Sequence, residues 1–143
     1  MRDQDRFPRS AVIASILALA ALTGCSSKIH PAVTFEFKHG EGPDAPTYRA
    51  TTSDPEVIAA ARAELAKPFD LRGKHINGVV GLGEGDDNEP WNWHFERNNW
   101  GLADFSTEVC DGTPTYVAEH VEEWVRDVGR YCPWGSRVVR EFG

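Results

Sequence analysis

The segment Leu22-Thr23-Gly24-Cys25 limits what this chain can fold, because it separates a leader from everything that follows. It ends a twelve-residue apolar run, Ala11 to Leu22, preceded by Arg2, Arg6 and Arg9. A basic head, a short apolar core, small residues and then a cysteine form the pattern of a bacterial export signal that ends in a lipobox. The small residues let the backbone fit the processing peptidase, and the thiol just after the cut receives the lipid. A transmembrane helix needs ~20 apolar residues, more than this run supplies. An ordinary secretory leader with an Ala-x-Ala-like site leaves Cys25 unexplained. Residues 1–24 are therefore read as a lipoprotein signal peptide, 25–32 as a lipidated tether and 33–143 as the folded domain. The domain is expected outside the cytoplasm, attached to a membrane of the cell envelope through lipid on Cys25.

The 119 residues from Cys25 to Gly143 suffice for one domain with an ordinary core. Of the chain's 15 basic and 22 acidic residues, 12 and 20 remain after the leader, a net charge of −8. Such a surface repels nucleic acid and anionic head groups, so nucleic acid is not an expected partner and membrane attachment falls to the lipid. With Cys25 acylated, Cys110 and Cys132 are left, and two remaining thiols outside the cytoplasm pair. A redox role fits less well. Cys132-Pro133-Trp134-Gly135 lacks the second cysteine of a Cys-x-x-Cys motif, and no histidine lies near Cys110 in sequence.

Val33 to Lys38 alternates as a strand, with Val33, Phe35 and Phe37 on one face. A Gly/Pro-rich turn over 39–46 leads to a second strand, Tyr48 to Thr52. Ser53 and Glu56 have capping-box spacing and Pro55 suits a first turn, which predicts a helix ended by Pro68 with Val57, Ala61 and Leu65 on its inner face. Ile76 to Leu82, Trp91 to Glu96 and Phe105 to Val109 are expected strands. Thr113-Pro114 and Gly129 bracket a second helix whose apolar stripe is Val117, Val121, Trp124 and Val128. Arg137 to Phe142 supplies a last strand. This order predicts an α+β fold: an antiparallel sheet with two helices packed on one face, in a ferredoxin-like arrangement.

In the central hairpin, pairing Leu82 with Trp91, Val80 with Trp93 and Gly78 with Phe95 puts every large apolar residue on one face, with Gly78 making room for the Phe95 ring. The opposite face then carries His75, Asn77, Asn92, His94 and Glu96, a group able to contact a ligand. A zinc site is not expected, because His75 and His94 form no closely spaced pair. The turn Glu84 to Pro90 has hard oxygen donors, but the EF-hand order is missing. Asp104, Glu108 and Asp111 are explained by solvation and helix capping. Trp91, Trp93 and Trp124 fit core positions, whereas Trp100 and Trp134 stand in turn-like contexts where an exposed ring anchors a partner. With no Gly-x-Ser-x-Gly, P-loop or dinucleotide-binding glycine pattern, no cofactor is implied.

Several segments resemble one small family, the BP-seventy-four-like N-terminal domain: Ser53 to Ile58, His75 to Gly78, Trp91 to His94, Ala103-Asp104 with Glu108 to Asp111, Tyr116 to His120, and Cys132 to Ser136. The resemblance implies a compact secreted or lipid-anchored domain with paired cysteines. Members are sometimes labelled calmodulin-like, and no catalytic residues come with the resemblance. The expectation is a non-enzymatic envelope lipoprotein that binds a protein or small ligand, in one version a protease inhibitor, through His75, Asn77, His94, Glu96, Trp100 and Trp134. The alternative is a small hydrolase-like enzyme using His94 with Glu96, Glu108 or Asp104.

Overall fold

The computed structural model describes residues 30–85 and 87–143, so the leader, the lipidation position Cys25, tether residues 25–29 and Asp86 lie outside the described residues. Among the described residues no helix is long and apolar enough to cross a membrane. The fold is α+β. Its strands are β1 (Val33–His39), β2 (Thr47–Thr52), β3 (His75–Leu82), β4 (Trp93–Ala103), β5 (Arg130–Tyr131) and β6 (Ser136–Phe142). Helices α1 (Pro55–Leu65), α2 (Pro114–Glu119) and α3 (Val121–Glu123) lie between them, with a π turn over Trp124–Val128.

All strand pairs are antiparallel, but the strands do not build the expected single sheet. They form two three-stranded sheets, ordered β2-β1-β6 and β4-β3-β5. Aromatic side chains are the reason. Phe35, Phe37 and Tyr48 point inward from one sheet, and Trp93, Phe95, Trp100 and Tyr131 from the other. Two facing sheets bury both sets at once. The rings interlock: Tyr48 and Trp93 lie 5.4 Å apart by centroid, Phe37 and Trp100 5.6 Å, and Trp93 and Tyr131 5.1 Å. Helix α1 spans from β6 of one sheet to β4 of the other, whereas the π turn packs on β3 and β5.

The β3–β4 register differs from the expected one by two residues: Leu82 faces Trp93, and Val80 faces Phe95. A two-residue shift keeps each side chain on its face, so Val80, Trp93 and Phe95 still point inward. Beyond Phe95 a bulge intervenes, and Gly78 pairs with Trp100. Arg97-Asn98-Asn99 reads as a turn in sequence, yet it lies inside β4. Asn98 takes a left-handed φ of 63°, a conformation that Asn tolerates better than most residues. Its Oδ1 accepts from Ser53 N at 2.7 Å and from the hydroxyls of Ser53 and Thr52 at 3.1 and 3.2 Å. The bulge is thereby tied to the entry of α1. Consequently Asp54, not Ser53, caps α1, accepting from Glu56 N at 2.8 Å.

The buried face of α1 centres on Ile58, Ala61 and Glu64, with Val57 and Leu65 at its margins. The second helix is not continuous. His120, at φ −126° and ψ 28°, separates α2 from α3, and Gly129 ends the π turn at φ 71°. The expected strand Phe105–Val109 does not form either. Cys110 bonds to Cys132, and the amide of Cys132 donates to the Cys110 carbonyl at 2.8 Å. Those links fold residues 104–112 back across the outer side of β3.

Candidate functional site

The polar face of the β3–β4 hairpin carries two separate groups of side chains. His75 begins β3, whereas His94 and Glu96 lie over Gly81 near its far end. Six residues of strand put these positions ~20 Å apart. The single contact surface expected from alternation is therefore divided, and Trp100 belongs to neither part. Only 4% exposed, Trp100 sits in the core, and its indole N–H donates to Thr51 O at 2.9 Å.

The first group borders a cavity of about 250 Å³ lined by Arg49, Thr51, Asp87, Asn88, His94 and Glu96. His94 Nδ1 is 2.9 Å from Gly83 O, and its Nε2 is 3.5 Å from Glu96 Oε1. A Cβ on Gly81 would come within 2.5 Å of Glu96 Oε1 and 2.8 Å of His94 Cε1, so the pair rests on bare backbone. Two oxygen-bearing side chains of the acidic turn, Asp87 and Asn88, are engaged in holding the fold. Thr51 donates to Asp87, and Asn88 accepts from Arg49 N at 2.7 Å while donating to Trp93 O at 2.8 Å. Of the carboxylates considered for a partnership with His94, only Glu96 lies beside it. Asp104 pairs with Lys74 at 2.5 Å, and Glu108 sits in a 3-10 turn after the end of β4. Among the described residues no three His, Cys, Asp or Glu side chains converge as metal ligands would.

The second group is built where residues 104–112 cross β3. His75, 4% exposed, has Nε2 2.8 Å from Ser106 Oγ. Asn77 Nδ2 donates to the same oxygen at 2.7 Å, leaving the hydroxyl proton for His75 to accept. Asn77 is itself fixed, its Oδ1 accepting from Arg130 Nε and Nη2 at 2.9 and 2.7 Å. Burial, and then the charge of Arg137, hold His75 below the ordinary histidine pKa against the opposing pull of Asp111 and Asp104. The imidazole is accordingly neutral at pH 7, which suits it to accept from Ser106.

A cavity of about 180 Å³ opens beside this triad, lined by His75, Asp104, Phe105, Ser106, Trp134 and Arg137. Its apolar walls face outward: Phe105 is 92% exposed and Trp134 39%. Trp134 is held beside the covalent link, and Phe105 precedes the anchored Ser106. Asp111 Oδ1 accepts from Trp134 N and Gly112 N at 2.9 Å each, which joins the two sides of the Cys110–Cys132 bridge. Arg137 Nη1 donates to Trp134 O at 2.8 Å and to Ser136 O at 2.6 Å. This arrangement offers a cation close to two exposed rings, while the Ser106 hydroxyl and the Asn77 amide are engaged within the triad and by Arg130.

Of the expected contact residues, His75, Asn77 and Trp134 are brought together here, with His94 and Glu96 at the other end of the sheet. Ser106, Phe105 and Arg137 were not singled out from sequence. Their signal lay in the disulfide: pairing Cys110 with Cys132 brings the neighbours of one cysteine to those of the other, Asp111 beside Trp134. No curated protein and no solved structure matches the chain. The family model of the BP-seventy-four N-terminal domain matches residues 31–143, the whole of the two-sheet domain with its bridged cysteines, and the chain belongs to that family.

Proposed function

We propose that this chain is a bacterial cell-envelope lipoprotein, anchored by lipid on Cys25, whose domain is a small non-enzymatic binding module for a protein or small ligand. The observation that carries the binding half is the pair of exposed rings, Phe105 and Trp134, beside a polar cavity on a cross-linked segment. Exposed large rings raise the cost of solvation, and holding Trp134 beside a disulfide lowers the entropy lost when a partner covers it. An inhibitor-like module is one version of this reading.

The test is affinity capture from solubilised envelope with the wild-type protein and a Phe105→Ser/Trp134→Ala double variant. Partners held by the wild type and lost by the folded variant are expected. An unchanged set of partners would sink the proposal. The hydrolase alternative rests on His94 and Glu96, 3.5 Å apart beside the larger cavity. Turnover of simple esters or amides that disappears in His94→Ala would favour it over the binding module.

A further inference from the structure

We infer that the cavity between Phe105 and Trp134 takes a carboxylate attached to an apolar or aromatic group. This inference rests on the binding reading above and names the ligand's chemistry. The domain is acidic overall, yet this cavity is not. Asp104, the carboxylate in its lining, is paired with Lys74 Nζ at 2.5 Å, and Asp111 nearby has Oδ1 engaged by two backbone amides. Arg137 is the cation in the lining whose charge no carboxylate pairs among the described residues.

Arg137 is also oriented. Nη1 is held by two backbone carbonyls, while Nε and Nη2 make no hydrogen bond among the described residues. A planar guanidinium with two donors still open is the geometry that carboxylates accept side by side. Arg137 lines the cavity together with His75, whose pKa its charge helps to lower after burial. Ser106 stands at the same wall, but its hydroxyl is engaged by His75 and Asn77, so the charge for the acid comes from Arg137. A cationic ligand would meet Arg137 and Lys74, and a wholly apolar one would leave the guanidinium desolvated without a partner.

Size narrows the class further. At about 180 Å³ the cavity is smaller than the ~300–1,000 Å³ of pockets that enclose drug-sized ligands. One ring with its acid group is the scale that fits, either as a free small acid or as the C-terminal residue of a peptide. Phe105 and Trp134 supply the apolar sides for that ring, and Arg137 the charge for the acid.

The experiment is a titration of the full chain in detergent, followed by the amide and indole signals of Ser106 and Trp134 in 1H–15N spectra. The probes are benzoate against benzamide, and a tripeptide ending in phenylalanine as its free acid against its amide. The acids are expected to shift these signals and to bind at least ~10-fold more tightly than the matched amides, the scale of a charge-assisted pair. Response to benzoate and the peptide acid alike points to a free acid as sufficient, and response to the peptide acid alone points to a chain terminus. Equal binding of acid and amide overturns the carboxylate assignment while leaving a binding site in place. No response to any probe overturns the inference, and the capture experiment then decides the wider reading separately. Arg137→Gln should abolish the preference for acid over amide. Because Arg137 also holds the Trp134 turn, the wild-type comparison of acid with amide does not depend on how that variant folds.

Discussion

Gly78 lies on β3 across from Trp100, and a Cβ built there would sit 2.4 Å from Trp100 Cβ and 2.7 Å from Phe95 Cδ1. Neither neighbour is the far end of a flexible chain, so Gly78→Ala forces β3 and β4 to shift against each other. Overpacking of this kind costs about 1–3 kcal/mol, and a lowered urea midpoint is the expected result. An unchanged midpoint would mean that the core at Trp100 is looser than described. That Gly78 makes room for the Phe95 ring was readable from alternation, although its partner across the strands is Trp100 and not Phe95. The role of Trp100 was not, because Arg97-Asn98-Asn99 has the composition of a turn and only the contacts of Asn98 keep β4 running through it.

Glu64 is the second residue whose meaning depends on its surroundings. It is 1% exposed on the inner face of α1, where the spacing suggested apolar contacts. Burial alone would raise its carboxyl pKa. Hydrogen bonds from Lys67 Nζ at 2.5 Å and from the amides of Lys74 and Gly73 at 3.4 and 3.0 Å outweigh it, and the group titrates below the ordinary glutamate value of 4.5. Since the native pKa is depressed, the stabilisation is complete above pH 4.5 and is lost as pH falls through the lower native value. Glu64→Gln should cost about 1–3 kcal/mol at pH 7. The gap from wild type should narrow as denaturation is repeated below pH 4.5, and a gap independent of pH would contradict this role for the carboxylate.

At the scale of elements, the segment from Ala103 to Pro114 departs most from its sequence pattern. Phe105 to Val109 alternates like a strand, but a strand there would need a neighbouring edge and a buried face. Instead Ser106 is held by His75 and Asn77, and Cys110 by Cys132, which leaves Phe105 in solvent. The bridge closes a sequence separation of 22 residues. Replacing both cysteines by serine should lower stability by about 3 kcal/mol, measured by denaturation with and without reductant. The same replacement should weaken partner capture, because it frees the two segments that carry Phe105 and Trp134. Full capture by a folded double-serine variant would show that the bridge stabilises the domain without shaping its binding face. The second helix departs less. Its ends, Thr113-Pro114 and Gly129, were legible from capping chemistry, but the break at His120 carries no such signal.

For the whole molecule, the α+β class and the positions of β1, β2, β3 and β6 follow from alternation and capping, because those are local consequences of side-chain chemistry. The division into two sheets does not. It depends on how Phe35, Phe37 and Tyr48 meet Trp93, Phe95 and Trp100 across the core, and pairings at that distance leave no local trace. Within one of those sheets, the length of β3 places His75 with Trp134 at one end and His94 with Glu96 at the other, and so separates the two faces that could be offered to a partner. A photo-crosslinking amino acid placed at position 105, and separately at the exposed position Leu82, tests that assignment in living cells without disturbing the core. A discrete adduct is expected from position 105 and none from position 82. Equal adducts from both positions, or an adduct from position 82 alone, would overturn the assignment of the binding face.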